Sequence, residues 1–161
     1  MALVIFSILI VMLDQVSKYL VVTHIPLDSC VPVWDGVFHL TYLRNTGMAF
    51  SMLEGSRTLF LILTAVALIL MWLAVKKKWV DHPVGLWSLA AIAGGAVGNL
   101  IDRARLGFVI DMIEVEFMNF AVFNIADSFL VCGAIGLVVC TLFFDKPKKE
   151  INHDSDAGQI G

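Results

Sequence analysis

The amino-acid sequence predicts an all-α membrane protein of four transmembrane helices, and three observations carry that prediction. Of 161 residues, 59% are hydrophobic and 16% charged, with a mean hydropathy of +0.87. A water-soluble domain of this length needs far more polar surface. Four apolar segments approach the roughly 20 residues that cross a bilayer. Lysine clusters follow the second and fourth of them.

The first predicted span covers residues 2–22 and is interrupted by Asp14, Gln15 and Lys18. It starts without a basic leader or a small-residue cleavage site, so it is expected to be retained and not removed as a signal peptide. Between His24 and Phe50 the run Phe38-His39-Leu40-Thr41-Tyr42-Leu43 alternates, with Pro26, Pro32 and Gly36 as breakers. That pattern predicts short strands lying on the membrane surface. Residues 59–75 form the second span, closed by Lys76-Lys77-Lys78, and residues 84–103 the third. The connection over 106–122 mixes Phe108, Val109, Ile110, Met112, Ile113, Val115, Phe117 and Phe120 with Asp111, Glu114 and Glu116, which suits an amphipathic interfacial segment. The fourth span covers 123–144 and precedes Lys146, Lys148 and Lys149.

Residues 1–150 are thus expected to form one integral membrane domain. The polar 151–161 tail is expected to be disordered or of artificial origin. Because both lysine clusters follow even-numbered spans, the positive-inside rule puts both termini in the cytoplasm and the two long connections outside. The net charge of -3 sits mostly in the tail and gives no reason to expect nucleic acid. Cys30, Cys132 and Cys140 have no CxxC spacing and read as small packing residues.

Charge is costly inside a bilayer, so each ionisable residue there needs a partner, a wet cavity or a route to the surface. Here these residues gather at one depth: Asp14 and Lys18 in the outer half of span one, Asp102 and Arg103 at the outer end of span three, and Asp127 at the outer start of span four. Asp111 lies in the outer connection just before. Arg44, Arg57, Arg103 and Arg105 also fall on the outer side, against the usual bias. A polar site at the outer interface accounts for all of them together.

Asp14 and Lys18, four apart, share a helical face. They read equally as a self-neutralising pair that holds span one and as part of a site, and they are taken here as structural support. Gly94-Gly95-Ala96-Val97-Gly98 has the GxxxG spacing of closely packed helices. Gly95, Asn99 and Arg103 step by four, an arrangement that could deliver an amide and a guanidinium to the site. Snorkelling of Arg103 to headgroups competes with that role.

Asp111 and Asp127 would stand about 24 Å apart on one continuous helix, so their cooperation requires the chain to fold back between them. Two carboxylates in a partly dry site share a proton, which lets one act as general base on water while the other polarises a carbonyl. Asn124, three residues before Asp127, could share its helical face. Spacing alone nonetheless favours ordinary interfacial or proton-relay carboxylates. The scattered His24, His39, His82 and His153, with no HExxH, give little support to a zinc site. Ser17 or Ser128 with Lys18 could form a dyad, but Asp14 would keep Lys18 protonated. No glycine-rich phosphate loop follows a strand.

Five ordered blocks together resemble the bacterial lipoprotein signal peptidases, or signal peptidase II. They are Asp14-Gln15-Val16-Ser17-Lys18, Arg44-Asn45-Thr46-Gly47-Met48-Ala49-Phe50, Gly94 to Arg103, Gly107-Phe108-Val109-Ile110-Asp111-Met112-Ile113 and Phe123-Asn124-Ile125-Ala126-Asp127-Ser128. The resemblance implies an aspartyl endopeptidase of the bacterial cytoplasmic membrane. It would remove the signal peptide from diacylglyceryl-modified prolipoproteins, cutting on the N-terminal side of the lipidated cysteine, and would act as a monomer without metal or organic cofactor.

It also implies a catalytic dyad of Asp111 and Asp127 on the extracytoplasmic side, with Asn45, Gly47, Asn99, Arg103, Asn124 and Ala126 binding substrate or shaping the site. Asp14, Lys18, Gly95, Gly98 and Asp102 would support the structure. The implied fold adds a small extracytoplasmic β-cradle and an interfacial helix or loop to the four spans. Met112, where phenylalanine is usual, and Met48, where a smaller residue is common, would alter the lipid pocket more than the chemistry. The main rival is a small proton-coupled transporter or channel subunit. A peptidase that cuts transmembrane helices would bury both aspartates deeper in its spans, and a non-catalytic assembly module would leave the clustered polar residues unexplained.

Overall fold

The computed structural model describes residues 1–47 and 57–144. Met48, Ala49 and Phe50, the lysines at 146, 148 and 149, and the 151–161 tail lie outside the described residues. The chain runs α1 (Ala2–His24), β1 (Cys30–Trp34), β2 (Phe38–Asn45), α2 (Arg57–Lys76), α3 (Pro83–Arg105), β3 (Val109–Val115) and α4 (Ile125–Phe143). All four helices are long and apolar enough to cross a membrane. Their outward faces carry large exposed side chains such as Leu9, Met12, Ile62, Leu70, Ile135 and Leu142. Such faces are stable only against lipid.

Helix α3 packs on α1, α2 and α4 alike, and its glycines explain the close approach. A side-chain carbon at Gly94 would meet Ile10 Cβ at 2.9 Å and the Ser7 carbonyl at 3.0 Å, both on α1. One at Gly98 would stand 2.7 Å from Asp14 Oδ2, so the missing side chain is what admits that carboxylate. Gly95 faces the other way, against the Ala126 carbonyl oxygen of α4. Two faces of one small-residue run thus hold two neighbouring helices. Gly95→Ala is expected to push α4 off its seat and cost about 1–3 kcal/mol, seen as a lower unfolding temperature in detergent.

The sheet caps the end of this bundle where α1 finishes and α4 begins, in the order β1-β2-β3, antiparallel throughout. Val21 and Ile25 at the end of α1 pack with Tyr42, Ile110 and Met112 beneath it. Composition suggested an amphipathic interfacial segment over 106–122, and that region instead holds β3. Its dense Val109-Ile110 and Met112-Ile113 pairs are buried or half-buried, and its backbone completes the hydrogen bonding of β2. Among the described residues no helix lies between the spans. The β1–β2 turn is clipped to the residue after β3, where the Glu116 carboxylate accepts from Gly36 N at 2.7 Å and lies 3.0 Å from His39 Nε2.

Candidate active site

The fold-back required between Asp111 and Asp127 is made by β3. The strand runs antiparallel to β2, the chain turns after Val115, and Phe123 then returns beside Met112 and Ile113 through three backbone hydrogen bonds. Asp111 on β3 and Asp127 on the first turn of α4 consequently line one cavity of about 600 Å³, together with Asn45, Gly47, Asn99 and Arg103. Phe120, Phe123, Leu130 and Val131 form an apolar wall to the same cavity, and Val131 is exposed at its edge.

Each carboxylate oxygen of the pair faces a nitrogen donor. Asp111 accepts from Asn124 Nδ2 at 2.7 Å on Oδ1 and from Asn45 Nδ2 at 2.8 Å on Oδ2. Asp127 accepts from Asn99 Nδ2 at 2.7 Å on Oδ1 and from the backbone N–H of Asn124 at 3.1 Å on Oδ2. This last bond is half of a capping box, since Asn124 Oδ1 accepts in return from Asp127 N at 2.9 Å. Asn124 is therefore the N-cap of α4, not a residue on its helical face, and it is fully buried. Its enclosed side chain holds the Asp111 carboxylate and its backbone N–H holds that of Asp127, so one residue braces both.

Ala126 is likewise fully buried and is not among the residues that line this cavity. It acts through its backbone, its N–H donating to Asp14 Oδ1 at 3.0 Å. Arg103 reaches inward instead of snorkelling: its Nη2 donates to the Gly47 carbonyl at 3.1 Å and its guanidinium lies 4.7 Å over the Phe60 ring.

Beneath the cavity, Lys18 is almost completely buried and spends its three ammonium donors on Asp14 Oδ2 at 2.8 Å, Asp102 Oδ2 at 2.9 Å and Asn99 Oδ1 at 3.0 Å. Asp102 also accepts from the backbone N–H of Ile110 at 3.2 Å, which ties α3 to β3 next to Asp111. In the sequence Gln15 interrupts span one and sits in the Asp14-Gln15-Val16-Ser17-Lys18 block, with no role assigned to it. Its Nε2 lies within hydrogen-bond reach of Asp14, Asp102 and the Gly98 carbonyl, which makes it part of the same buried network.

Burial pushes the Asp111 carboxyl up to about 6, and the nearby Asp127 charge adds to the rise. The hydrogen bonds from Asn45 and Asn124 and the charge of Lys18 pull the other way. An unfolded aspartate releases its proton near 4, so between about 4 and 6 the folded chain binds more protons than the unfolded one. The stability contributed by that proton is complete below about pH 4 and is lost as pH rises through about 6. Between pH 4 and 7 wild type is expected to lose on the order of 2–3 kcal/mol more than Asp111→Asn, measurable by thermal unfolding of the two proteins in parallel.

The model of the family described as signal peptidase (SPase) II matches residues 6–143. The chain belongs to the signal peptidase II family. The lipoprotein signal peptidase of Enterococcus faecalis is 44% identical over 147 residues, covering 89% of each protein. That of Streptococcus pyogenes serotype M2 is 44% identical over 139 residues, covering 83% of this chain and 88% of the relative. Two bacterial membrane enzymes solved by the in meso method share the fold. One has a TM-score of 0.85 at 30% identity over 93% of this chain and 94% of the other, and the second 0.81 at 31% identity over 90% and 94%. A signal peptidase II is a membrane protease, and the transporter or channel reading finds no support in these likenesses. The apolar wall of Phe120, Phe123, Leu130 and Val131 escaped the sequence, where such residues look like any interfacial or lipid-facing positions.

Proposed function

We propose that Asp111 and Asp127 are the catalytic dyad of an aspartyl endopeptidase that removes the signal peptide from diacylglyceryl-modified prolipoproteins, cutting N-terminal to the lipidated cysteine. The observation that carries this reading is the convergence of two carboxylates from separate elements on one cavity that has an apolar flank. Sharing one proton between them avoids two buried like charges. The ionised carboxylate takes a proton from water as the water oxygen attacks the scissile carbonyl carbon, and the protonated carboxyl gives its proton to the carbonyl oxygen. The tetrahedral diol then collapses, the C–N bond breaks, the amine takes a proton, and the dyad returns with a single shared proton.

Asn45, Asn99 and Arg103 fix the carboxylates and the cavity wall while presenting polar edges to the substrate backbone. The wall of Phe120, Phe123, Leu130 and Val131 suits acyl chains or an apolar signal segment arriving from lipid.

The site is assigned to the extracytoplasmic face, with both termini in the cytoplasm. In support, Lys76 lies 4.7 Å over Trp72 and Lys77 5.0 Å over Trp79 at the far end of α2, a cationic and aromatic belt of the kind found at the cytoplasmic interface. One chain supplies both carboxylates, so the monomer is the proposed active unit.

Purified protein in detergent or lipid is expected to cleave a diacylated prolipoprotein and to leave the same polypeptide without its lipid uncut. Cleavage of both substrates would remove the lipid requirement and keep the peptidase. Cleavage of neither would overturn the proposal.

A further inference from the structure

Asparagine is a poor choice for holding a carboxylate unless its direction is fixed, because rotating the amide by half a turn swaps donor for acceptor. At this site each of three asparagines has its oxygen tied to a group that can only donate. Asn45 Oδ1 accepts from the backbone N–H of Gly47 at 3.0 Å, and Asn124 Oδ1 from that of Asp127 at 2.9 Å. Asn99 Oδ1 accepts from Lys18 Nζ at 3.0 Å and from Asn124 Nδ2 at 3.1 Å.

The first two locks are local backbone turns. The third comes from another helix and from a charged side chain that is 2% exposed and does not line the cavity shared by Asp111 and Asp127. An ammonium has no acceptor, so an amide facing it must present oxygen, and the NH2 of Asn99 then points at Asp127 Oδ1, 2.7 Å away. Asp14 and Asp102, the other two groups on the ammonium, hold Lys18 from two sides and set where its third proton points.

We propose that Lys18 is a positioning residue for the reaction: through the amide of Asn99 it fixes the orientation of Asp127, in addition to neutralising buried carboxylates. The proposal rests on the dyad assigned above. Without Lys18 the Asn99 oxygen keeps only Asn124 Nδ2, which also serves Asp111 at 2.7 Å and the Ile110 carbonyl at 3.3 Å; the amide can then turn its oxygen toward Asp127, and the two acceptors repel. Asp127 then leaves the geometry in which it meets water, a displacement of a kind that costs about 10²-fold in rate.

A double-mutant cycle on kcat tests this, with KM followed alongside. Wild-type cleavage of diacylated prolipoprotein, and its loss in Asp111→Asn, first establish the dyad, so a failure of that reading is seen separately. Lys18→Met and Asn99→Ala are each expected to lower kcat about 10²-fold with KM within about threefold of wild type. The double variant should be no slower than the slower single variant, because both substitutions remove one interaction. If Lys18→Met does not fold, Lys18→Met combined with Asp102→Asn, which also removes one of the stranded carboxylates, takes its place, with Asp102→Asn alone as its reference. Multiplication of the two effects to about 10⁴-fold, or kcat unchanged on losing Lys18, would overturn the proposal.

Discussion

Asp127→Asn is expected to lower kcat for prolipoprotein cleavage by about 10²–10⁴-fold, the usual worth of a positioned acid or base, while the four spans stay folded. The substitution changes one atom and keeps the volume. An asparagine at this position can still accept from Asn124 N–H through its oxygen, so the cap of α4 persists. Its NH2 would then face Asn99 Nδ2, donor against donor, a local cost of about 1–3 kcal/mol that a helix packed along its length on α3 can absorb. Asp111→Asn is expected to lose activity to a similar extent, with a donor set against the amide of Asn45 or Asn124. Unfolding temperatures measured beside the cleavage rates separate lost chemistry from lost structure. Either variant retaining full activity would remove its aspartate from the mechanism.

Replacing Lys18 with methionine is expected to produce the largest loss of stability of any single substitution discussed here, about 3–5 kcal/mol. The ammonium lies between two carboxylates that are themselves buried, Asp14 being completely enclosed. Removing it leaves two like charges with only neutral donors: Gln15 for both, the Ala126 N–H for Asp14 and the Ile110 N–H for Asp102. Those backbone donors belong to α4 and β3, so the damage reaches both elements that carry the dyad. Thermal unfolding in detergent should show Lys18→Met far below wild type. Adding Asp102→Asn should recover part of the difference, since it removes one of the two stranded charges. A stability close to wild type for Lys18→Met would mean that the three charges do not depend on one another as their distances imply.

The spans were legible because length and apolarity are read directly from a chain that must satisfy its backbone hydrogen bonds within lipid. The β3 strand was not, because β-branched residues interspersed with acids over 109–116 match an amphipathic surface segment as well as a strand. Only its pairing with β2 decides between them. Asp14 and Lys18 were found as a pair through their spacing of four, whereas Asp102, an equal partner of Lys18, lies on another helix and no spacing rule connects them. The capping box was present in the sequence as Asn124 followed three residues later by Asp127 and carried a readable signal. Taking Asn124 as a helical-face residue concealed it. The nearness of Asp111 and Asp127 was not contained in their spacing, which on its own favoured unrelated carboxylates. The five ordered blocks pointed to the pair, and the turn after β3 is what brings it together.

In the proposed mechanism Asp111 and Asp127 grip one water oxygen between them. A structure of the protein with a diacylated peptide whose scissile amide is replaced by a secondary alcohol tests it most directly, because the alcohol oxygen stands in for the attacking or carbonyl oxygen of the tetrahedral diol. The expected result is a hydroxyl oxygen within about 3 Å of a carboxylate oxygen from each aspartate, with the acyl chains along Phe120, Phe123, Leu130 and Val131. A hydroxyl bound to one aspartate alone, or lodged elsewhere in the protein, would contradict it.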